Sequence, residues 1–183
     1  MTDQMIVEKF ITTKKQKEFG HDFFNRSEQY QRWEDVEFNK VWEDDRRFTI
    51  EEEDILFYSG GVMDDNPLFN DKETAKTGPF GELTAHPVFL TPIVFWLAGD
   101  SGPSSWLRTP GAINPGQVIE IYEPFRVGDT IRSRAEVHDK WIKRGKRYLT
   151  FQVDYLNQDD KVIFRVWNTL ILPRSKGDGT HQF

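Results

Sequence analysis

Cysteine is absent from this 183-residue chain. A disulfide framework and a thiolate metal site are therefore excluded, and a reducing, cytoplasmic compartment is the expectation. No run of about 18 apolar residues occurs, which excludes an ordinary transmembrane helix and any membrane partner of that kind. The opening residues Met1-Thr2-Asp3-Gln4-Met5-Ile6 lack the basic-then-apolar order of a signal peptide. Charge of one sign does not dominate the chain. The 24 Lys and Arg and 30 Asp and Glu give a net charge of -6, mixed along the chain, which argues against a broad nucleic-acid surface. His21, His138 and His181 have no companions at ligand spacing, so neither a metal nor another cofactor is expected. Internal repeats are missing too.

Aromatics, by contrast, are plentiful: 15 Phe, 6 Trp and 5 Tyr. They serve as core anchors, or line a channel or a subunit interface. The length suits one domain with a decorated end, long enough to bury a core without covalent staples.

Residues 1–36 are charged and lack a clean period, with short apolar pieces such as Phe10-Ile11 and Phe23-Phe24; they read as an N-terminal extension. An extended lead-in follows to Phe48, with Phe38, Val41 and Trp42 as contacts. Thr49 and Glu52 match a capping box and open a helix. Glu51 to Asp54 suit its positive end, Ile55, Tyr58 and Val62 share a face, and Gly60-Gly61 weakens or ends it. A polar connection covers residues 70–84. A second helix is predicted from Pro87 to about Ala98, apolar nearly all round and therefore buried. Pro92 predicts a kink, and Gly99 the end.

Beyond Gln117 the period changes to two. Residues 131–137, 149–155 and 162–172 read as long strands, and 118–122 as a shorter one. Turns fall at Gly145 and at Asn157-Gln158-Asp159-Asp160, and the tail from residue 174 looks frayed. One apolar helix followed by a run of antiparallel strands has a natural solution: an α+β hot dog arrangement, in which the sheet curls around the helix. The open face of such a sheet calls for a second copy.

The chemistry-bearing residues cluster in two places. Asp64-Asp65-Asn66-Pro67-Leu68-Phe69 follows the first helix, and Ala85-His86-Pro87 opens the second. Read locally, the first is a helix-ending turn or a catalytic loop, and His86 is a cap neighbour or a proton-transfer group. Together with Phe80-Gly81 and Pro124-Phe125-Arg126-Val127-Gly128-Asp129, their order resembles the MaoC-like hydratases and FAS1-like acyl dehydratases over roughly residues 37–172. The (R)-specific enoyl-CoA hydratases are among them.

That resemblance implies a hot dog domain over residues 37–173 that adds water to an enoyl thioester, or removes it from a 3-hydroxyacyl thioester. It implies acyl-CoA or a carrier-bound thioester as substrate and a second hot dog subunit as partner. Asp64 takes the family's acidic position. Phe69 stands where the family carries histidine, and Pro87 stands where it carries the glycine after His86. The expected catalytic residues are Asp64 and His86. Tyr58, Asn66, Phe69 and Val88 are expected around the substrate, with Val88 offering an amide to the thioester carbonyl in place of Pro87. Lys143 and Arg144, at a cationic hairpin tip, and Arg126 are candidates to grip the phosphates of coenzyme A; the tip also reads as a solvated turn that discourages edge pairing. Loss of the family histidine points to one subunit of a hetero-oligomer. A self-sufficient enzyme using Asp64 with His86, a non-catalytic acyl-CoA-binding or assembly subunit, and a thioesterase stand as alternatives.

Overall fold

The computed structural model describes residues 11–19, 31–99, 102–175 and 181–182. Expectations for Phe23-Phe24, His21 and the tail beyond residue 175, other than 181–182, lie outside these.

Among the described residues the chain starts with a short helix, α1 (Lys14–Glu18). After a 3-10 turn at Trp33–Asp35 come two short strands, β1 (Val41–Glu43) and β2 (Phe48–Thr49). Helix α2 (Glu52–Gly61) is followed by two small helices, α3 (Pro67–Asn70) and α4 (Lys72–Lys76). A 3-10 turn at Pro87–Phe89 leads into α5 (Leu90–Trp96), and α6 (Pro103–Arg108) precedes the sheet. Four long strands then run antiparallel: β3 (Ile113–Ile121), β4 (Thr130–Lys143), β5 (Lys146–Leu156) and β6 (Val162–Leu172). The sheet order is β1-β4-β5-β6-β3, with β2 also on β4.

The period-two reading of β4 to β6 is realised as a two-faced sheet. Leu149, Phe151, Val153 and Tyr155 of β5 point to the core, as do Phe164, Val166, Leu170 and Leu172 of β6. On the other face Thr150 bonds Thr169 across the strands at 2.8 Å, and the Trp167 indole donates to Gln152 at 2.8 Å. The core side is covered by Phe89, Leu90, Ile93 and Leu97 of the α5 segment and by Trp106 of α6. Aromatic rings run through it in contact, from Phe48 to Phe89, Phe125, Phe164 and Tyr155. The β4–β5 hairpin turns on Arg144 and Gly145, both at positive φ (53° and 73°), as a two-residue primed turn requires.

Several local expectations are corrected. Thr49 belongs to β2, where its hydroxyl meets Thr130 at 2.9 Å; Glu51 caps α2 instead, in a reciprocal box with Asp54. The segment from Pro87 is not one helix to Ala98. It begins as 3-10 and turns α-helical at Leu90, which puts Pro92 in the first turn, where its missing amide has no intrahelical partner. The helix stops at Trp96, before Gly99. It is not buried all round either: Val88 and Phe95 are half exposed. Phe38 and Val41 face solvent, leaving Trp42 as the lead-in's anchor, edge-on to Trp106 at 5.3 Å. Arg174–Ser175 (β7) pairs with His181–Gln182 (β8) in a two-residue ladder, where the sequence suggests a frayed tail.

The two edges of the sheet differ. At one side lie the short strands β1 and β2. At the other, β3 pairs only with β6 among the described residues, and every residue of it except Glu120 is exposed.

Candidate active site

The position of Asp64 is set by how α2 ends. The Asp64 amide donates to the Ser59 carbonyl at 2.9 Å and the Met63 amide to Gly60 at 3.2 Å, with Met63 at φ 55°. This is a Schellman end, in which a left-handed residue closes the last turn. A methionine there is costly, because a side chain in that conformation crowds its own carbonyl by about 1–2 kcal/mol. The next turn is tied from both sides. Asp64 Oδ1 accepts the Asn66 amide at 3.0 Å, Asn66 Oδ1 caps α3 through the Leu68 amide at 3.1 Å, and Asn70 Nδ2 donates to the Asp64 carbonyl at 3.0 Å. Ser59, fully buried in α2, donates its hydroxyl to the Phe69 carbonyl at 3.0 Å.

His86 is placed by the loop before β4. The Ala85 amide donates to the Phe125 carbonyl at 3.0 Å, and Thr84 bridges to Arg126. The Val88 amide donates to His86 Nδ1 at 3.1 Å. That bond leaves Nδ1 without a proton and assigns the hydrogen to Nε2. His86 Nε2 in turn faces Asp64 Oδ2 across 3.9 Å, with the two side chains 32% and 19% exposed. The gap exceeds a hydrogen bond; both side chains are partly exposed, while the Asp64 Oδ2 atom itself is buried. Phe69 stands edge-on to the imidazole at 5.4 Å, and Tyr58 flanks it at 6.5 Å. The Tyr58 hydroxyl donates to the Val88 carbonyl at 3.1 Å, and burial pushes its phenol pKa up.

Among the described residues, two buried side-chain oxygens have no hydrogen-bond partner: Asp64 Oδ2 and Thr84 Oγ1. One faces His86 and the other lies two residues before it. Buried polar atoms are paired as a rule, so the unpaired Asp64 Oδ2 facing His86 marks a place built to receive another polar group.

The structure therefore brings together Asp64, His86, Tyr58, Asn66, Phe69 and Val88. The Val88 amide, read from sequence as a donor to a thioester carbonyl, is already engaged by His86, and the Phe89 amide donates to the His86 carbonyl at 2.8 Å. Arg126 is near, through the Thr84 bridge, but its guanidinium is paired with Glu82. Lys143 and Arg144 are not near. They lie at the far end of the 14-residue β4, on the order of 40 Å along the strand from the loop that places His86. Ser59 and Thr84 were missed: a serine and a threonine carry no sequence mark of burial. No group of three His, Asp or Glu side chains among the described residues can hold a metal, and none of their helices is long and apolar enough to cross a membrane.

The match to known proteins falls on these same elements. The profile of the FAS1-like, dehydratase domain region matches residues 40–166. An (R)-specific enoyl-CoA hydratase of Rhodospirillum rubrum is 30% identical over 104 residues, 57% of this chain and 67% of the relative. A MaoC-like dehydratase structure from Rhodospirillum rubrum superposes with a TM-score of 0.66 at 24% identity, covering 78% of this chain and 97% of that one. A 3R-hydroxyacyl-ACP dehydratase complex, HadBC, from Mycobacterium tuberculosis superposes with a TM-score of 0.57 at 20% identity, covering 72% and 94%. The architecture shared with these structures is the α+β hot dog fold. With well over half of its length inside the matched region, the chain belongs to the family of the FAS1-like dehydratase domain region.

Proposed function

We propose that this chain is an acyl-thioester hydro-lyase, acting on enoyl-CoA or 3-hydroxyacyl-CoA through Asp64 and His86. The observation that carries the reading is the orphaned Asp64 Oδ2 opposite His86 Nε2 at 3.9 Å. A water oxygen about 2.8 Å from each atom fits that separation. His86 donates its Nε2 hydrogen to the water and holds it. Asp64 takes one proton as the oxygen bonds to the β-carbon of the enoyl thioester, and electron density moves toward the carbonyl. The proton on Asp64 then passes to the α-carbon, which restores the carboxylate. Dehydration runs the same steps backwards. Such a positioned acid-base group contributes about 10²–10⁴ in rate.

Two features favour a paired arrangement. Phe69 has no exchangeable proton, and the Val88 amide is engaged by His86, so a donor to the developing enolate oxygen has to come from elsewhere. The exposed strand β3 supports pairing with a second hot dog subunit, of the same or another chain. The hetero-complex character of the HadBC neighbour agrees with this. The second reading follows from the same features: this chain is the acyl-binding half, and its partner carries the chemistry.

The experiment is to purify the chain alone, and with any subunit that copurifies from its native source, and to assay both with crotonyl-CoA and longer enoyl-CoAs. Turnover that is lost in Asp64→Asn of this chain supports the first reading. Turnover of the pair that is indifferent to Asp64→Asn supports the second. Silence of both preparations toward every thioester refutes the hydro-lyase assignment.

A further inference from the structure

An apolar cavity lies between α1, α2 and α5, and one of its walls comes from residues before the family-matched region. Its volume is about 540 Å³, within the usual range of small-molecule sites. Ile11 and Phe19, at either end of α1, form one wall; Phe57 and Val62 of α2, with Phe95 and Trp96 of α5, form the others. The first five of these are between 38% and 52% exposed, an amount of uncovered apolar surface that in one concave patch marks a binding groove. Tyr58 and Phe89 also line the cavity. Tyr58 flanks His86, and the Phe89 amide bonds the His86 carbonyl, so cavity and dyad share a wall.

The wall from α1 is fixed rather than loosely laid on. Thr13 and Gln16 cap the helix reciprocally. Lys15 reaches both Asp54 at 2.6 Å and Glu51 at 2.9 Å on the first turn of α2, and it sits over the Phe48 ring at 5.2 Å. Phe19 packs on Trp96 at 5.8 Å. The charges at the cavity, Lys15 and Asp54, are thus spent on each other. The polar groups of Thr13 and Gln16 are spent on the cap and the Tyr58 hydroxyl on the Val88 carbonyl; the rest of the lining is apolar, which suits a hydrocarbon group and not a phosphate.

We infer that α1 is a strap closing an acyl slot beside the dyad, and that Ile11 and Phe19 help set which acyl groups the chain accepts. This rests on the thioester reading above, and places the acyl tail between α1, α2 and α5.

Saturated acyl-CoAs cannot be turned over, so they separate binding from chemistry. Titrating the full chain calorimetrically with butyryl- to decanoyl-CoA is expected to show about fourfold tighter binding per added methylene until the slot is full. Two filling variants on opposite walls, Ile11→Trp and Phe57→Trp, each checked for native circular dichroism, are expected to compress the decanoyl-to-butyryl affinity ratio at least tenfold. A length dependence unchanged in both variants overturns the slot, while the thioester reading survives. A flat series, with either variant instead blocking self-association in sedimentation, assigns the surface to a second copy and also overturns it. Failure of the chain to bind any acyl-CoA overturns the thioester reading itself, and the slot with it.

Discussion

His86 Nε2 faces Asp64 Oδ2 across 3.9 Å, while the other ring nitrogen of His86 is held by the Val88 amide. One hydrogen bond therefore sets both the tautomer and the aim of the ring. Asp64→Asn keeps the Oδ1 that accepts the Asn66 amide, so it is expected to fold normally. Its hydration of crotonyl-CoA, followed by loss of enoyl-thioester absorbance, should fall about 10²–10⁴-fold. His86→Gln should fall by a similar factor.

Phe69 occupies the family's histidine position and already touches the imidazole edge-on at 5.4 Å. Phe69→His puts a second imidazole beside His86. Turnover by the isolated chain is expected to rise on the order of 10²-fold, and no change would show that the missing group comes from another subunit.

Much of this was legible in sequence, and the reason lies in period. Residues 162–172 read as a strand and β6 occupies Val162–Leu172: from Phe164 on, buried and half-buried residues alternate, which leaves little room for another register. That Asp64 and His86 approach each other is implied by the family resemblance of their two segments; read locally, each is as good a turn or a cap. What escaped has no local mark. Thr49 is as good a cap as it is a strand residue, and pairing with Thr130 decided between them. Val88 reads as a free first-turn amide until the imidazole two residues earlier is seen to take it. Ser59 and Thr84 are buried by distant elements. Lys143 and Arg144 look equivalent to Arg126 as phosphate grips until the length of β4 sets them apart. A five-residue helix such as α1 is too short to show a period at all.

Met63 is 89% exposed yet held at φ 55° just before Asp64. Met63→Gly removes the crowding at that residue, and the urea midpoint is expected to rise by the equivalent of about 1 kcal/mol. Since the glycine also loosens the loop in the unfolded chain, a gain below that figure is consistent, whereas a loss of stability would contradict the Schellman assignment.

The α1 latch is expected to hold over a defined pH window. The Lys15 hydrogen bond and charge hold the Glu51 carboxyl below its ordinary 4.5. Its contribution is complete above the unfolded value and is lost as pH falls through the lower folded value. Burial works against the Lys15 charge, but Asp54 and Glu51 outweigh it and raise its pKa above 10.5. That contribution is complete below 10.5 and is lost as pH rises through the raised value. Hydrogen exchange of the α1 amides, corrected for intrinsic rates, should therefore be slowest between about pH 5 and 10. Lys15→Met should remove the dependence.

On the edge strand β3, Val118 and Ile121 are 54% and 42% exposed, one on each face. Charges there oppose strand pairing. Val118→Lys with Ile121→Lys is expected to weaken association at least tenfold in sedimentation equilibrium, with unchanged circular dichroism. Association indifferent to this pair would move the contact to another surface.

Strand β3 is not uniformly open. Pro115 has no amide to offer, and the ladder slips between Ile113 and Gly116, so only the stretch from Gln117 onward is a usable template. Any polypeptide with a compatible backbone competes for that stretch, including nascent or misfolded copies. Heterologous yield of soluble chain should accordingly rise with the supply of whatever covers this rim during synthesis, and a copy made alone should need slow expression to stay soluble.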